Sequence, residues 1–251
     1  MDLNLKGKIA LITGTASQIG IGKAIALMLA GEGCDIISCD IDLPGAETTA
    51  DEVKALGRKA IALKANVAKS AEVGEMVKAA LKEFGRIDIL VNTAGSTAGE
   101  ELFHLMKEEA CMQDINVSLI GTMNCTRAVV PSMIENKYGK IINFASVAAR
   151  MGVPSIASYV AAKAGIIGFT KSIAKELGPS GINVNGIAPG SVQTNFLIRS
   201  PERVERMVAG IPVRRMTTTQ DVANMVAFLV SDVASDITGQ TIGVDGGSFM
   251  V

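Results

Sequence analysis

The sequence predicts a doubly wound α/β domain in which seven parallel strands carry helices on both faces. Three observations lead to it. Short runs of aliphatic and β-branched residues alternate strictly with longer segments whose apolar residues recur at helical spacing. Those short runs are apolar throughout, as strands buried on both faces must be, and parallel strands need helical crossovers to connect them. Finally, 251 residues at 48% hydrophobic composition, with no linker, repeat or low-complexity tract, suit one domain spanning 1–251.

In chain order, strands are expected at Ile9 to Thr13, Asp35 to Cys39, Ala60 to Lys64, Ile87 to Val91, Lys140 to Ala145, Ile182 to Ile187 and Thr241 to Val244. Helices are expected at Gly20 to Gly31, Gly45 to Leu56, Ala71 to Phe84, Glu109 to Glu135, Ala157 to Leu177 and Thr219 to Val230. Sheets of this kind bind ligands beyond the carboxyl ends of their strands, so the residues there carry the functional reading.

Composition removes several function classes. Lys plus Arg number 24 against 25 Asp plus Glu, for a net charge of −1, and aromatics make up 4% with no Trp. A nucleic-acid partner is therefore not expected, because neither a basic patch nor a stacking platform is available. Charges interrupt every long apolar stretch and the Met1-Asp2 start lacks a basic-then-apolar leader, so a cytoplasmic protein without a membrane span is expected. Cys34, Cys39, Cys111 and Cys125 form no CxxC pair and read as reduced, mostly buried thiols. His104 is the only histidine and reads as a loop or helix-surface residue, so no zinc site is expected and any chemistry must use other groups.

After the first strand comes Thr13-Gly14-Thr-Ala-Ser17-Gln-Ile-Gly20-Ile21-Gly22, a glycine-rich turn running into an apolar helix. Glycines let backbone approach a pyrophosphate, and the helix amino end offers free N–H groups and a positive dipole. The second strand leads into Asp40, where a carboxylate accepts both ribose hydroxyls of NAD and repels a 2′-phosphate, which favours NAD over NADP. Asp42 lies further into the loop and suits that role less. At the end of the fourth strand, Asn92-Thr-Ala94-Gly95 places small residues where the adenosine half would pass.

Tyr159 and Lys163 stand at i and i+4 in a helix, so phenol and ammonium project from one face. A cation beside a phenol favours phenolate, which lowers the Tyr pKa and makes it a usable general acid/base. Ser146, thirteen residues earlier and just past a strand, is placed to hydrogen-bond a reacting oxygen.

With these residues in view, the chain resembles the short-chain dehydrogenase/reductase family, of the 3-oxoacyl thioester reductase-like kind with a Rossmann-like fold. The likeness spans nearly the whole length. It rests on the glycine turn, Asn92-Thr-Ala-Gly95, Ser146, Tyr159-x3-Lys163, Ile187-Ala-Pro189-Gly190-Ser-Val192-Gln-Thr194 and Ile237 through Gly247. The resemblance implies that Tyr159 exchanges a proton with the substrate oxygen and Ser146 orients it. Lys163 would hold the nicotinamide ribose and lower the Tyr pKa, with NAD as cofactor. It further implies that Pro189, Gly190, Val192 and Thr194 line the nicotinamide end and that Asn66 and Val67 flank the adenine. Asn66 stands where the family usually has Asp.

Two departures bear on activity. Five residues, Thr15 to Ile19, separate Gly14 from Gly20 where the family usually has three. Ser118 occupies the position of the family's fourth catalytic residue, normally Asn, and Asn116 is about 200° around a regular helix from it. A Ser hydroxyl donates and accepts, so it can replace the Asn at a water. The family's mobile substrate lid corresponds to about 191–212, where Arg199, Arg203 and Arg206 are candidates for the phosphates of a coenzyme A or carrier-protein thioester. Met151 and Val153 suggest an apolar pocket wall. A homotetramer built on Glu109 to Glu135 and Ala157 to Leu177 is expected. The alternative that the two departures raise is an impaired, non-cofactor-binding subunit of a hetero-oligomer.

Overall fold

The computed structural model describes residues 2–194 and 201–250, with the side chains of 201–203 outside the described set. Seven strands form one parallel sheet in the order β3-β2-β1-β4-β5-β6-β7. They are β1 Ile9–Thr13, β2 Asp35–Asp40, β3 Ala60–Lys64, β4 Ile89–Asn92, β5 Gly139–Phe144, β6 Ile182–Pro189 and β7 Thr241–Val244. The helices between them are α1 Ile21–Gly31, α2 Leu43–Ala55, α3 Ser70–Phe84, α4 Glu108–Asp114, α5 Gly121–Glu135, α6 Ala148–Met151, α7 Ala157–Leu177, α8 Pro201–Ala209 and α9 Thr219–Val230. The strand order reverses between β1 and β4, and the crevice there opens at the carboxyl ends.

Alternation along each strand explains why the strands are apolar throughout. Ala10, Ile12, Ile36, Val91 and Ile142 pack with Ile25, Leu29, Val222 and Val226 of α1 and α9 on one face. Their neighbours Leu11, Ile37, Leu90 and Ile141 pack on the other, with Val73 and Val77 of α3 and Val129 and Met133 of α5. Successive side chains of a strand point to opposite faces, so covering both faces requires a continuous apolar run.

Two expectations are corrected. The fourth strand begins at Ile89 rather than Ile87, and at its entry the Asp88 carboxylate accepts from Ile9 N and from Arg86 Nε. The expected continuous helix from Glu109 to Glu135 is three pieces: α4, a π-helical segment Ile115–Ile120, and α5. The wider turn lets Asp114 and Ser118 both bond to the loop after β4, while the Thr122 hydroxyl donates to Ser118 O at 2.7 Å and satisfies a displaced carbonyl.

Candidate active site at the carboxyl end of the sheet

The nucleotide half is built by β1, β2 and the turn between β1 and α1. Gly14 has φ +75°, and a Cβ there would lie 2.9 Å from Ala94 N; one on Gly22 would lie 2.2 Å from Gly14 O. Only glycine permits these approaches. Gly20 caps α1 with no side-chain hydrogen bond, and the first turn of α1 carries no acid, so its N–H groups face outward without a built-in anion.

The lengthened turn is folded back onto β2 and α2. Thr15 is buried and pairs with Ser38 at 2.7 Å, Thr49 donates to Thr15 O at 2.8 Å, and Gln18 Nε2 donates to Ala16 O at 2.8 Å. Ser17 O accepts from Gly20 N at 2.8 Å and closes the turn before Ile21. Asp40 ends β2 with its carboxylate fixed by Ala16 N at 2.9 Å and Asp42 N at 3.1 Å, while Asp42 caps α2 through Gly45 N. This set fits a dinucleotide: an uncapped helix terminus, backbone without obstructing Cβ atoms, and an oriented carboxylate beyond β2.

One residue expected at the cofactor has its side chain placed otherwise, and two others make local bonds. Asn92 is buried beneath the crevice, donating to Asn143 Oδ1 at 2.9 Å and Thr126 Oγ1 at 3.3 Å, and Asn143 in turn donates to Thr170. It ties β4 to β5, α5 and α7 rather than opening on the cleft. Asn66 Oδ1 accepts from Ala68 N at 3.0 Å and shapes the entry to α3. Val67 is buried, and its carbonyl accepts from Asn124 at 2.9 Å. Ala94 N donates to the Thr13 hydroxyl oxygen at 3.2 Å, so the loop after β4 is pinned to β1.

The catalytic half surrounds a cleft of about 950 Å³. Gly95, Ser146, Tyr159, Lys163, Pro189, Gly190, Val192 and Thr194 all line it, together with Ile21 from α1. Ser146 follows β5, accepts from Ala148 N at 3.1 Å and lines the cleft with Tyr159. Lys163 is buried and donates from Nζ to Phe144 O at 2.7 Å, with Nζ 5.7 Å from the Tyr159 ring centroid. Both residues come from α7, whose buried stripe Ser158, Ala162, Ile166, Thr170 and Ala174 fixes that helix against the sheet.

The expected lowering of the Tyr159 pKa is corrected. Burial pushes the phenol above its ordinary value, the neighbouring Ser146 hydroxyl pulls the other way, and the charge of Asp114 adds to the rise. Lys163 does not reverse this, because burial brings its own pKa down to about 8 and its ammonium is directed at Phe144 O. The phenol is held protonated in this state of the chain.

A family model described as enoyl-(acyl carrier protein) reductase matches residues 14–248. The 3-oxoacyl-(acyl-carrier-protein) reductase FabG of Staphylococcus epidermidis is 44% identical over 247 residues, covering 97% of this chain and 99% of that protein. The FabG of Thermotoga maritima is 42% identical over 246 residues, covering 98% and 99%. The chain belongs to the short-chain dehydrogenase/reductase family. Solved structures of this architecture agree. One from Sinorhizobium meliloti, assigned as a short-chain alcohol dehydrogenase, superposes with TM-score 0.93 at 32% identity and covers 99% of this chain and 98% of its own. Another from Agrobacterium tumefaciens, assigned as a gluconate dehydrogenase, gives 0.94 at 31%, covering 100% and 99%.

Within a short-chain dehydrogenase/reductase, the chemistry is oxidoreduction at a nicotinamide cofactor. Ser118 sits in the π segment with its hydroxyl 3.2 Å from Ser96 N, and a Cβ built on Gly95 would meet Lys163 Nζ at 3.4 Å and Ser118 Oγ at 3.6 Å. Ser118 and Lys163 therefore flank the same stretch of loop. Met151 and Val153 line the cleft as expected, joined by Pro154, Ile156, Met207 and Ile211. Arg206 lines it too, whereas Arg199 and the side chain of Arg203 lie outside the described residues, as does the lid over 195–200.

Sequence reasoning missed Asp114, Ser158, Thr93 and Ser96. Thr93 and Ser96 line the cleft beside Gly95, and the Thr93 hydroxyl donates to Thr13 O. The i, i+4 spacing of Asp114 and Ser118 was the available signal. Cys34, Cys39 and Cys125 are buried free thiols, with burial pushing Cys34 and Cys39 up to about 12, and His104 is exposed. Among the described residues no helix is long and apolar enough to cross a membrane, and no cluster could hold a metal.

Proposed function

We propose that this chain interconverts a 3-oxoacyl thioester and its 3-hydroxyacyl form using NAD(H). The observation that carries the reading is that Ser146, Tyr159 and Lys163 line one cleft together with the apolar side chains of Met151, Val153, Ile156 and Ile211. The names of the curated relatives supply the acyl thioester class. A bound dinucleotide supplies the hydride; every other role falls to the chain.

Ser146 and Tyr159 hold the carbonyl oxygen between two hydroxyls, and Tyr159 gives it a proton as charge develops there. A phenol kept protonated by burial is ready for that role at neutral pH. Lys163, with a pKa of about 8, restores the phenol proton from within the site, and Ser118 stands beside it at the Gly95 loop. Met151, Val153, Ile156 and Ile211 keep water from the reacting carbon and accept an acyl chain. Arg206 at the cleft suits the phosphate of a thioester carrier, coenzyme A or a carrier protein.

Asp40 carries the choice of NAD over NADP, since its carboxylate is fixed in orientation by two backbone N–H groups and a 2′-phosphate would meet it. We also propose a cytoplasmic homotetramer, which a solution mass would verify and a monomer would contradict. No observation in the fold or among the relatives supports the impaired-subunit alternative. The deciding experiment follows NADH and NADPH oxidation with acetoacetyl-CoA. Turnover with NADH well above NADPH is expected, and absence of turnover with both would overturn the assignment.

A further inference from the structure

Asp114 is completely buried at the end of α4, and among the described residues no Lys or Arg pairs with it. Burying a carboxylate without a cation is costly, and the cost is offset only by hydrogen bonds. Asp114 makes two, on different elements. Oδ1 accepts from Ala98 N at 2.6 Å, in the loop that supplies Gly95, Ser96 and Thr97 to the cleft. Oδ2 accepts from Ser158 Oγ at 2.7 Å, and Ser158 immediately precedes Tyr159 on α7. Ser158 also meets Met106 Sδ at 3.3 Å, and Ser118, one π turn beyond Asp114, binds the same loop at Ser96.

We propose that Asp114 is a positioning residue for Tyr159: by joining Ala98 to Ser158 it fixes the first turn of α7 against the loop that forms the opposite wall of the cleft. This rests on the reading of Tyr159 as the acid/base. The distance between the phenol and the cleft loop then depends on one buried carboxylate rather than on the packing of exposed loop residues. The charge has a second effect, since it is among the influences that keep the phenol protonated. The other charged groups around the phenol are Lys163 on its own helix and, lining the cleft, Glu100 and Arg206.

The test uses the full chain with NADH and acetoacetyl-CoA. Asp114→Asn keeps the shape but replaces one of the two accepting oxygens by an NH2 group that cannot accept, so the bonds to Ala98 N and Ser158 Oγ cannot both be kept as they are, and it removes the charge. It is expected to lower kcat about tenfold, as small misplacements of reacting groups do, to leave the calorimetric Kd for NADH unchanged, and to move the alkaline limb of the reduction profile to lower pH. An unchanged kcat and limb would overturn the proposal, and so would a loss that appears in NADH affinity to the same degree, which marks a merely structural role. If Asp114→Asn does not fold, Ser158→Ala and Ser158→Thr decide. Loss of kcat in the first with recovery in the second supports the link, and equal loss in both overturns it. Tyr159→Phe separates this from the functional assignment. Full turnover in that variant defeats the acid/base reading itself, whereas an inactive Tyr159→Phe beside an unaffected Asp114→Asn defeats only the role of Asp114.

Discussion

The two halves of the crevice are built by opposite means. On the nucleotide side, recognition is prepared by what is absent: Cβ atoms at Gly14 and Gly22, a side-chain cap on α1, and acids in its first turn. On the catalytic side it is prepared by what is bonded. Lys163 to Phe144, Ser118 to Ser96 and Asp114 to Ser158 tie together residues far apart in the chain. A site of the first kind tolerates a longer turn so long as the extra residues are anchored elsewhere, as Thr15 and Gln18 are. A site of the second kind is sensitive to any shift of one helix against another.

That contrast orders the effects of substitution. Tyr159→Phe removes the proton donor and should cut turnover by about 10³-fold, within the range of general acid–base loss, while calorimetry shows dinucleotide affinity intact. Gly22→Ala works from the other half. Its new Cβ meets Gly14 O, so it should raise the dinucleotide Kd by more than about tenfold and cost about 2 kcal/mol in denaturant unfolding, as overpacking does. Equal damage to kcat and Kd in both variants would erase the distinction between the halves.

Smaller effects sharpen it. Asp40→Asn keeps the bond to Ala16 N but loses the charge, and should shift the NADH-to-NADPH ratio of kcat/KM toward NADPH by about tenfold. Ser118→Ala should lower kcat by a few fold, at about the worth of one hydrogen bond, with KM unchanged. The smallest effect is a pH trend in stability. Lys163 has a folded pKa of about 8, below its ordinary 10.5, so between those values the unfolded chain binds more protons and this residue's contribution to stability rises with pH. Lys163→Met lacks that rise. Its stability relative to the natural chain should therefore fall as pH climbs from 8 toward 10.5, which thermal melts across that window will check.

Legibility in the sequence divides along the same line. Ala157–Leu177 and Thr219–Val230 have the bounds that periodicity alone assigned, the second fixed at its start by the Thr218–Asp221 capping box, because long amphipathic segments are specified by neighbours in the chain. Ser146, Tyr159 and Lys163 were legible from spacing, since a strand end and an i, i+4 pair fix their direction. The π segment was not. A six-residue widening is set by bonds to residues 96, 98 and 158, which no local window contains. Asn92 was misread for the same reason: an amide at a strand's carboxyl end faces cofactor or core according to its cross-strand neighbour, here Asn143.

By itself the sequence determined the alternating α/β order, the glycine turn, the acid beyond β2 and the candidate set Ser146, Tyr159 and Lys163 that lines the cleft, because each depends on residues close in the chain or on a chemistry few residue types can supply. Tertiary structure decided the rest. It turned Asp40 toward Ala16, set Asp114 between a loop and a helix, and raised the Tyr159 pKa where local charge alone argued for a lower one. The physical reason is that burial and long-range hydrogen bonds exist only once distant segments meet, and at Tyr159 the effect of burial outweighs the opposing pull of the Ser146 hydroxyl.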